Sequence, residues 1–315
     1  MARCACVTSR KAKPAALARE KNAMTLARSA CSARSTYSAG FAGFAGFAVK
    51  GLFLAGVFAL SAPAMAINCA KAGTAVEKLI CADKATVAAD AGLNRAYQAI
   101  LKQAPDDSIR AMLVASQKRW LEARDRALER LLTDPDAVPD DKTASGIARE
   151  LIENRSAQFK ETGKGSATPT IIRRAVQQQK FQSQFTGGAF AGYWTSCDVL
   201  PHDYYDCFAI RHYQHNDRVC SVDESWASGA VYTKRYVANV VDGKPRVIAS
   251  CSFSSADEAC ATVGDTKANW NRQPETPQYV YADKPLPKLD GEIDASEDAE
   301  WVQACLTDPA YPPGQ

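Results

Sequence analysis

Acidic side chains are nearly missing from the first 66 residues: Glu20 stands alone against nine lysines and arginines, a net charge of +8. A membrane-length apolar run is missing as well. The best candidate, Gly51 to Leu60, has ten residues, whereas a helix crossing a hydrocarbon core of roughly 30 Å needs about 20. Lys50 precedes this run, and the segment SAPAMA follows it with small residues at Ala64 and Ala66. A positive flank, a short apolar core and a small-x-small site read as a secretory signal removed after Ala66. Met24 is an alternative start, and a basic, acid-poor transit peptide is the competing reading of this leader. A lipid anchor is disfavoured because Asn68, not a small residue, stands before Cys69.

What the remainder lacks is a basic surplus. Residues 67–315 hold 29 basic and 34 acidic side chains, a net charge of −5. Nucleic-acid binding thereby loses its compositional support, and no stable membrane span is expected after cleavage. A mildly acidic body is drawn to a basic partner, although a solvated surface explains the same charge. The cysteines divide at the same point. Cys4, Cys6 and Cys31 belong to the leader, while Cys69, Cys81, Cys197, Cys207, Cys220, Cys251, Cys260 and Cys305 follow it. An even number in an exported chain predicts a set of disulfides and a periplasmic or secreted protein.

Signatures of catalysis are also sparse. There is no Gly-rich phosphate loop, no serine in a G-x-S-x-G turn and no distinctive pair of carboxylates. The three histidines, His202, His212 and His215, cluster among Asp198, Asp203 and Asp206, as a divalent-metal site would require. His212 and His215 are three apart on an expected strand, however, so they point to opposite faces, and a solvated hairpin is the simpler reading. Cys207 lies near His202 and His212, but a nucleophile must be a free, activated thiolate, and an oxidising compartment makes Cys207 a disulfide partner first. The chain is therefore read as a non-enzyme with no cofactor. A metal-dependent hydrolase remains the alternative in that class.

What is present falls into two compositions, and the expected fold class is α+β in two modules. From residue 67 to 160 the chain is rich in Ala, Leu, Arg and Glu with helical spacing. A linker with some helix spans 161–186, and residues 187–315 turn to Tyr, Val, Ser and Cys with strand alternation. Thr74 and Glu77 form a capping box ahead of a short helix to Cys81. A second helix runs from about Thr86 to Gln103, with Leu93, Tyr97, Ile100 and Leu101 on one stripe. A third, capped by Asp106 or Asp107, places Ile109, Leu113, Trp120 and Leu128 on its apolar face. The short connection between them predicts an antiparallel pair. A fourth helix, about Thr143 to Lys160, carries Ile147, Leu151 and Ile152. Arg124 lies on the apolar stripe of the third helix and needs a partner; Asp90 and Asp125 are the available carboxylates, giving a polar contact between helices two and three. Strands are expected within 187–197, 206–214, 218–222, 229–241 and 245–253, with turns at His215-Asn216-Asp217 and Asp242-Gly243. Together they suggest an antiparallel barrel or sandwich, with an extended tail pinned by Trp301 and Cys305.

The ordered motifs C-A-K-A-x-T-x-x-E-x-x-I-C from Cys69, D-x-x-L-N-x-x-Y (Asp90, Leu93, Asn94, Tyr97) and Q-x-x-W-x-x-x-R-D (Gln117, Trp120, Arg124, Asp125) resemble the LprI-type lysozyme-inhibitor family over Cys69 to about Asp125. The resemblance implies a small, exported helical module that counters lysozyme. It does not supply the residues that touch the enzyme: Thr74, Glu77, Asp90, Asn94, Tyr97, Gln117, Trp120, Arg124 and Asp125 all have scaffold roles. Typical members carry Leu where Thr86 and Ala89 stand here, and a cysteine after the Arg-Asp pair, where this chain has Arg126, Ala127 and Leu128. Against that family pattern, the resemblance pairs Cys69 with Cys81. Local proximity, hairpin neighbours and tail anchoring suggest Cys197 with Cys207, Cys220 with Cys251, and Cys260 with Cys305. The expected partner is a basic lysozyme. Tyr193, Trp194, Tyr204, Tyr205, Tyr213, Trp226, Tyr232 and Tyr236 leave a second option open, a module that stacks these rings on the glycan of peptidoglycan, although core packing accounts for most of them.

Overall fold

Local capping fixes where each helix begins. In the computed structural model, which describes residues 66–254, 270–274, 281 and 284–312, the Thr74 hydroxyl accepts the Glu77 backbone N–H. The Glu77 carboxylate accepts the Thr74 N–H in return, and this capping box opens α1 (Ala75–Cys81). Asp83 accepts from the N–H groups of Ala85 and Thr86, so α2 (Lys84–Gln103) starts a little before Thr86. Asp106 caps α3 (Asp107–Thr133), and Thr143 caps α4 (Ala144–Gln158). A fifth helix, α5 (Thr170–Gln182), follows Pro169. The leader before Ala66 lies outside the described residues, and among those described no helix is long and apolar enough to cross a membrane.

One core unites the apolar faces of these helices. Leu93, Tyr97 and Ile100 of α2 meet Leu113, Trp120 and Leu128 of α3 and Ile147, Leu151 and Ile152 of α4. The expected α2–α3 hairpin is modified, since α2 makes its closest backbone approach to α4. The reason is the length of α3. At 27 residues it runs past α2, and its C-terminal half lies along the sheet, where Arg126 donates to the Cys197 carbonyl at 2.9 Å.

The sheet is an antiparallel meander of β1 (Gly192–Leu200), β2 (Tyr204–His215), β3 (Arg218–Ala227), β4 (Ala230–Val241) and β5 (Lys244–Ser254), hydrogen-bonded in chain order. Two-residue turns set the registers. Asp242 and Gly243 take φ of 54° and 72°, the left-handed pair that matches the twist of the flanking strands and that glycine adopts without strain. Both expected turns are present, and β1 and β3 extend beyond the residues expected of them. The sheet is open, with β1 and β5 as its edges and no described strand joining them, so the barrel or sandwich gives way to a single layer. Helices take the place of a second sheet. On one face, α6 (Ala299–Thr307) buries Trp301, Val302, Cys305 and Leu306 against Tyr213, Cys220 and Val237. The tail is thus helical where an extended chain was expected. Val199 of β1 joins the core of α1–α5, and the helices and the sheet belong to one compact unit.

Candidate functional site

A buried polar junction lies where α3 and α4 meet the segment leading into α6. Arg155 projects from the apolar face of α4, three residues after Ile152 and four after Leu151, so its guanidinium enters the core. Its NH1 lies 2.7 Å from Glu292 Oε1, and both side chains are almost wholly excluded from solvent. The remaining donors are also satisfied. Arg155 Nε donates to Gln117 Oε1 at 3.1 Å and NH2 to Ser116 Oγ at 2.7 Å, while the Ser116 hydroxyl and the Gln158 amide donate to Glu292. The rings of Trp120, Phe159 and Tyr205 surround the cation, Phe159 at 4.4 Å. Nearby, Arg119 reaches Asp290 at 2.6 Å, and the Gln178 amide donates to the Asp290 and Ile293 carbonyls.

The two carboxylates respond differently to burial. Burial alone would raise Glu292, but Arg155, Ser116 and Arg119 outweigh it and hold the carboxyl below its ordinary value. Burial wins at Asp290, whose carboxyl is raised despite Arg119. Gly291 separates them because there is no room for a side chain: a Cβ would lie 2.3 Å from the Ile171 carbonyl oxygen. A closed junction of this kind, with Arg155 and Glu292 held by their neighbours, anchors chain segments. It offers no open position for a reacting atom.

The residues of the family motifs sit around this junction and along the helix ends. Asp90 accepts the Ile67 N–H at 2.8 Å, Tyr97 packs against Phe159, and Asn94 is half-buried on α2. Gln117 and Trp120 touch Arg155 directly. Arg124 lies 5.3 Å above Trp120 and pairs with its neighbour Asp125 at 2.6 Å, not with Asp90, so it does not bridge α2 to α3. The buried polar link instead joins α3 to α4 through Gln117 and Arg155. Sequence reasoning missed Arg155, whose position on the stripe of Leu151 and Ile152 was the available signal, and Glu292, for which no local pattern exists.

The cysteines form bridges at α1, within the sheet and between the sheet and α6. Cys69 bonds Cys81 and Cys197 bonds Cys207, as expected, the latter pair lying directly opposite on β1 and β2. Cys220 bonds Cys305, which corrects both remaining expectations, Cys220 with Cys251 and Cys260 with Cys305. The cause is facing: α6 lies on the sheet surface to which Cys220 points, and both sulfurs are fully buried there. Cys251 is disulfide-bonded too, and Cys260 lies outside the described residues. The histidines do not converge. His202 is exposed in a turn, the His212 ring hydrogen-bonds Ser221 at 2.7 Å, and His215 accepts the Thr186 N–H at the far end of β2. Among the described residues no group of three or more His, Cys, Asp or Glu side chains is placed to hold a metal ion.

Outside the junction, a cleft of about 380 Å³ opens beside it, with Glu161, Asp206, Glu224 and Asp294 on its walls and Arg174 among them. Arg174 pairs with Asp294 and Arg211 with Glu224. Asp206 has its carboxyl raised, chiefly by burial and further by Glu224 and Glu292. Comparison with curated proteins and with solved structures returns no match. A family comparison does: residues 67–177, which take in α1 to α4 and the first part of α5, match the model described as lysozyme inhibitor LprI, so this helical part of the chain is similar to that family.

Proposed function

We propose that this chain is an exported protein of the cell envelope that inhibits lysozyme by filling the enzyme's cleft and keeping glycan out. The observation that carries the reading is the family match over residues 67–177, a match to an inhibitor family and not to a catalytic one. Rigidity supports the mechanism. The Cys69–Cys81 bridge and the Arg155–Glu292 junction hold the helices in one arrangement, and a pre-organised surface loses less conformational freedom on binding. The disulfides and the absence of a described membrane-length helix are compatible with export.

The acidic balance after residue 66 supports a basic partner, raising the association rate more than the affinity. Titrating the purified protein, residues 67–315, into a muramidase assay is expected to abolish turnover at micromolar concentration; unchanged turnover there would remove the proposal. Raising the ionic strength is expected to slow the onset of inhibition, because screening acts on the long-range attraction. An onset indifferent to salt would remove the electrostatic part.

A further inference from the structure

We infer that the face of the sheet turned away from the helices holds a groove for a neutral oligosaccharide strand, a function separate from inhibition. Alternation along β1 separates two sets of side chains: Tyr193, Cys197 and Val199 are buried, whereas Trp194, Ser196 and Asp198 are exposed. Trp194 stands opposite Ile210 of β2, and Ser196 opposite Phe208, so these four side chains share one surface. Trp194 is 46% exposed, a large aromatic with nearly half its surface in water. The groove it lines measures about 660 Å³ and continues to Ser225 and Trp226 at the end of β3, within the roughly 300–1,000 Å³ range of ligand sites.

The arrangement of polar groups identifies the occupant. Hydroxyls of Ser196 and Ser225 alternate with the rings, and Asp198 stands among them. That carboxylate already has a cationic partner, Arg126 at 3.6 Å. The groove therefore presents no uncompensated negative charge to draw in a basic chain. A dry apolar protein surface would strip water from this carboxylate without replacing it, which is costly. A sugar strand suits both features. Its C–H faces lie on Trp194, and its hydroxyls replace water on the serines, on Asp198 and on the exposed Arg130 at the rim.

The test uses the full chain, expressed with its own leader and recovered as the cell processes it, with chitohexaose as soluble probe and insoluble peptidoglycan as the solid one. Saturable quenching of tryptophan fluorescence by chitohexaose and retention on peptidoglycan are expected. Trp194→Ala is expected to weaken binding about tenfold, the equivalent of one ring contact, with the thermal midpoint and muramidase inhibition unchanged. Ser196→Lys, which fills the groove beside Phe208, provides a second variant that leaves Trp194 in place and is expected to block binding. Neither quenching nor retention would overturn the inference, as would wild-type binding by both variants. Concentration-dependent dimers that Trp194→Ala abolishes, without glycan binding, would overturn it in favour of a second copy as occupant.

Discussion

Replacing Arg155 by alanine is expected to destabilise the fold by about 3–5 kcal/mol, because it strands Glu292 as a buried carboxylate without its paired cation. In a domain of this size that is a fall of roughly 6–20 °C in the melting temperature. The pH dependence identifies the cause. In the native protein the Glu292 carboxyl is held below its ordinary value, so its contribution is present above the unfolded value of about 4.3 and is lost as pH falls through the folded one. Without Arg155, burial, the largest influence on this carboxyl, outweighs what Ser116 and Arg119 still contribute and raises it. The sign then reverses: the variant gains stability toward acid and loses it as pH rises above about 4. Urea unfolding of both proteins between neutral pH and acid measures this directly. Parallel pH profiles would mean that Arg155 acts by packing alone.

Replacing Cys220 and Cys305 together by alanine is expected to cost about 4–5 kcal/mol, since the bridge closes a loop with a sequence separation of 85. Each sulfur is also fully buried among Trp301, Leu306, Tyr213 and Val237, so small gaps add to the loss. The damage should be local at first. α6 carries Asp298 at its start, and Asp298 pairs with Arg211 at 2.5 Å and lies 3.7 Å from Arg235. Once α6 detaches, those guanidiniums lose that carboxylate. Hydrogen exchange is expected to rise first in α6 and then at β2 to β4, while the cores of α2 to α4 stay protected. Uniform loss of protection across the chain would contradict that order.

These two devices illustrate what could and could not be read from the sequence. Thr74 with Glu77, Asp106 and Asp242-Gly243 act on neighbours within a few residues, and local spacing was enough to find the first and last and to narrow the cap of α3 to Asp106 or Asp107. The apolar stripes of α2, α3 and α4 were equally legible, because burial imposes helical period on the sequence. The partner of Arg155 was not legible: Glu292 is 137 positions away, and nothing in an acidic, Pro-rich stretch distinguishes it from surface carboxylates. The same holds for Cys220. Hairpin proximity favours Cys251, but the side of the sheet on which α6 settles decides, and that depends on Trp301 and Leu306 finding an apolar face. Closure of the sheet failed for a related reason. Alternation tells which residues turn inward, while what covers them, a second sheet or a helix, is decided by the rest of the chain. On the outward face, Trp194 counted among several aromatics of equal standing until its exposure separated it from buried Tyr193, Tyr213 and Tyr236.

Steady-state kinetics of a muramidase on a soluble glycan substrate test the proposed inhibition by occlusion most directly. With increasing protein, the apparent KM is expected to rise while kcat stays constant, since a filled cleft and a bound glycan exclude one another. A fall in kcat at constant KM, or rates that do not change at all, would contradict it.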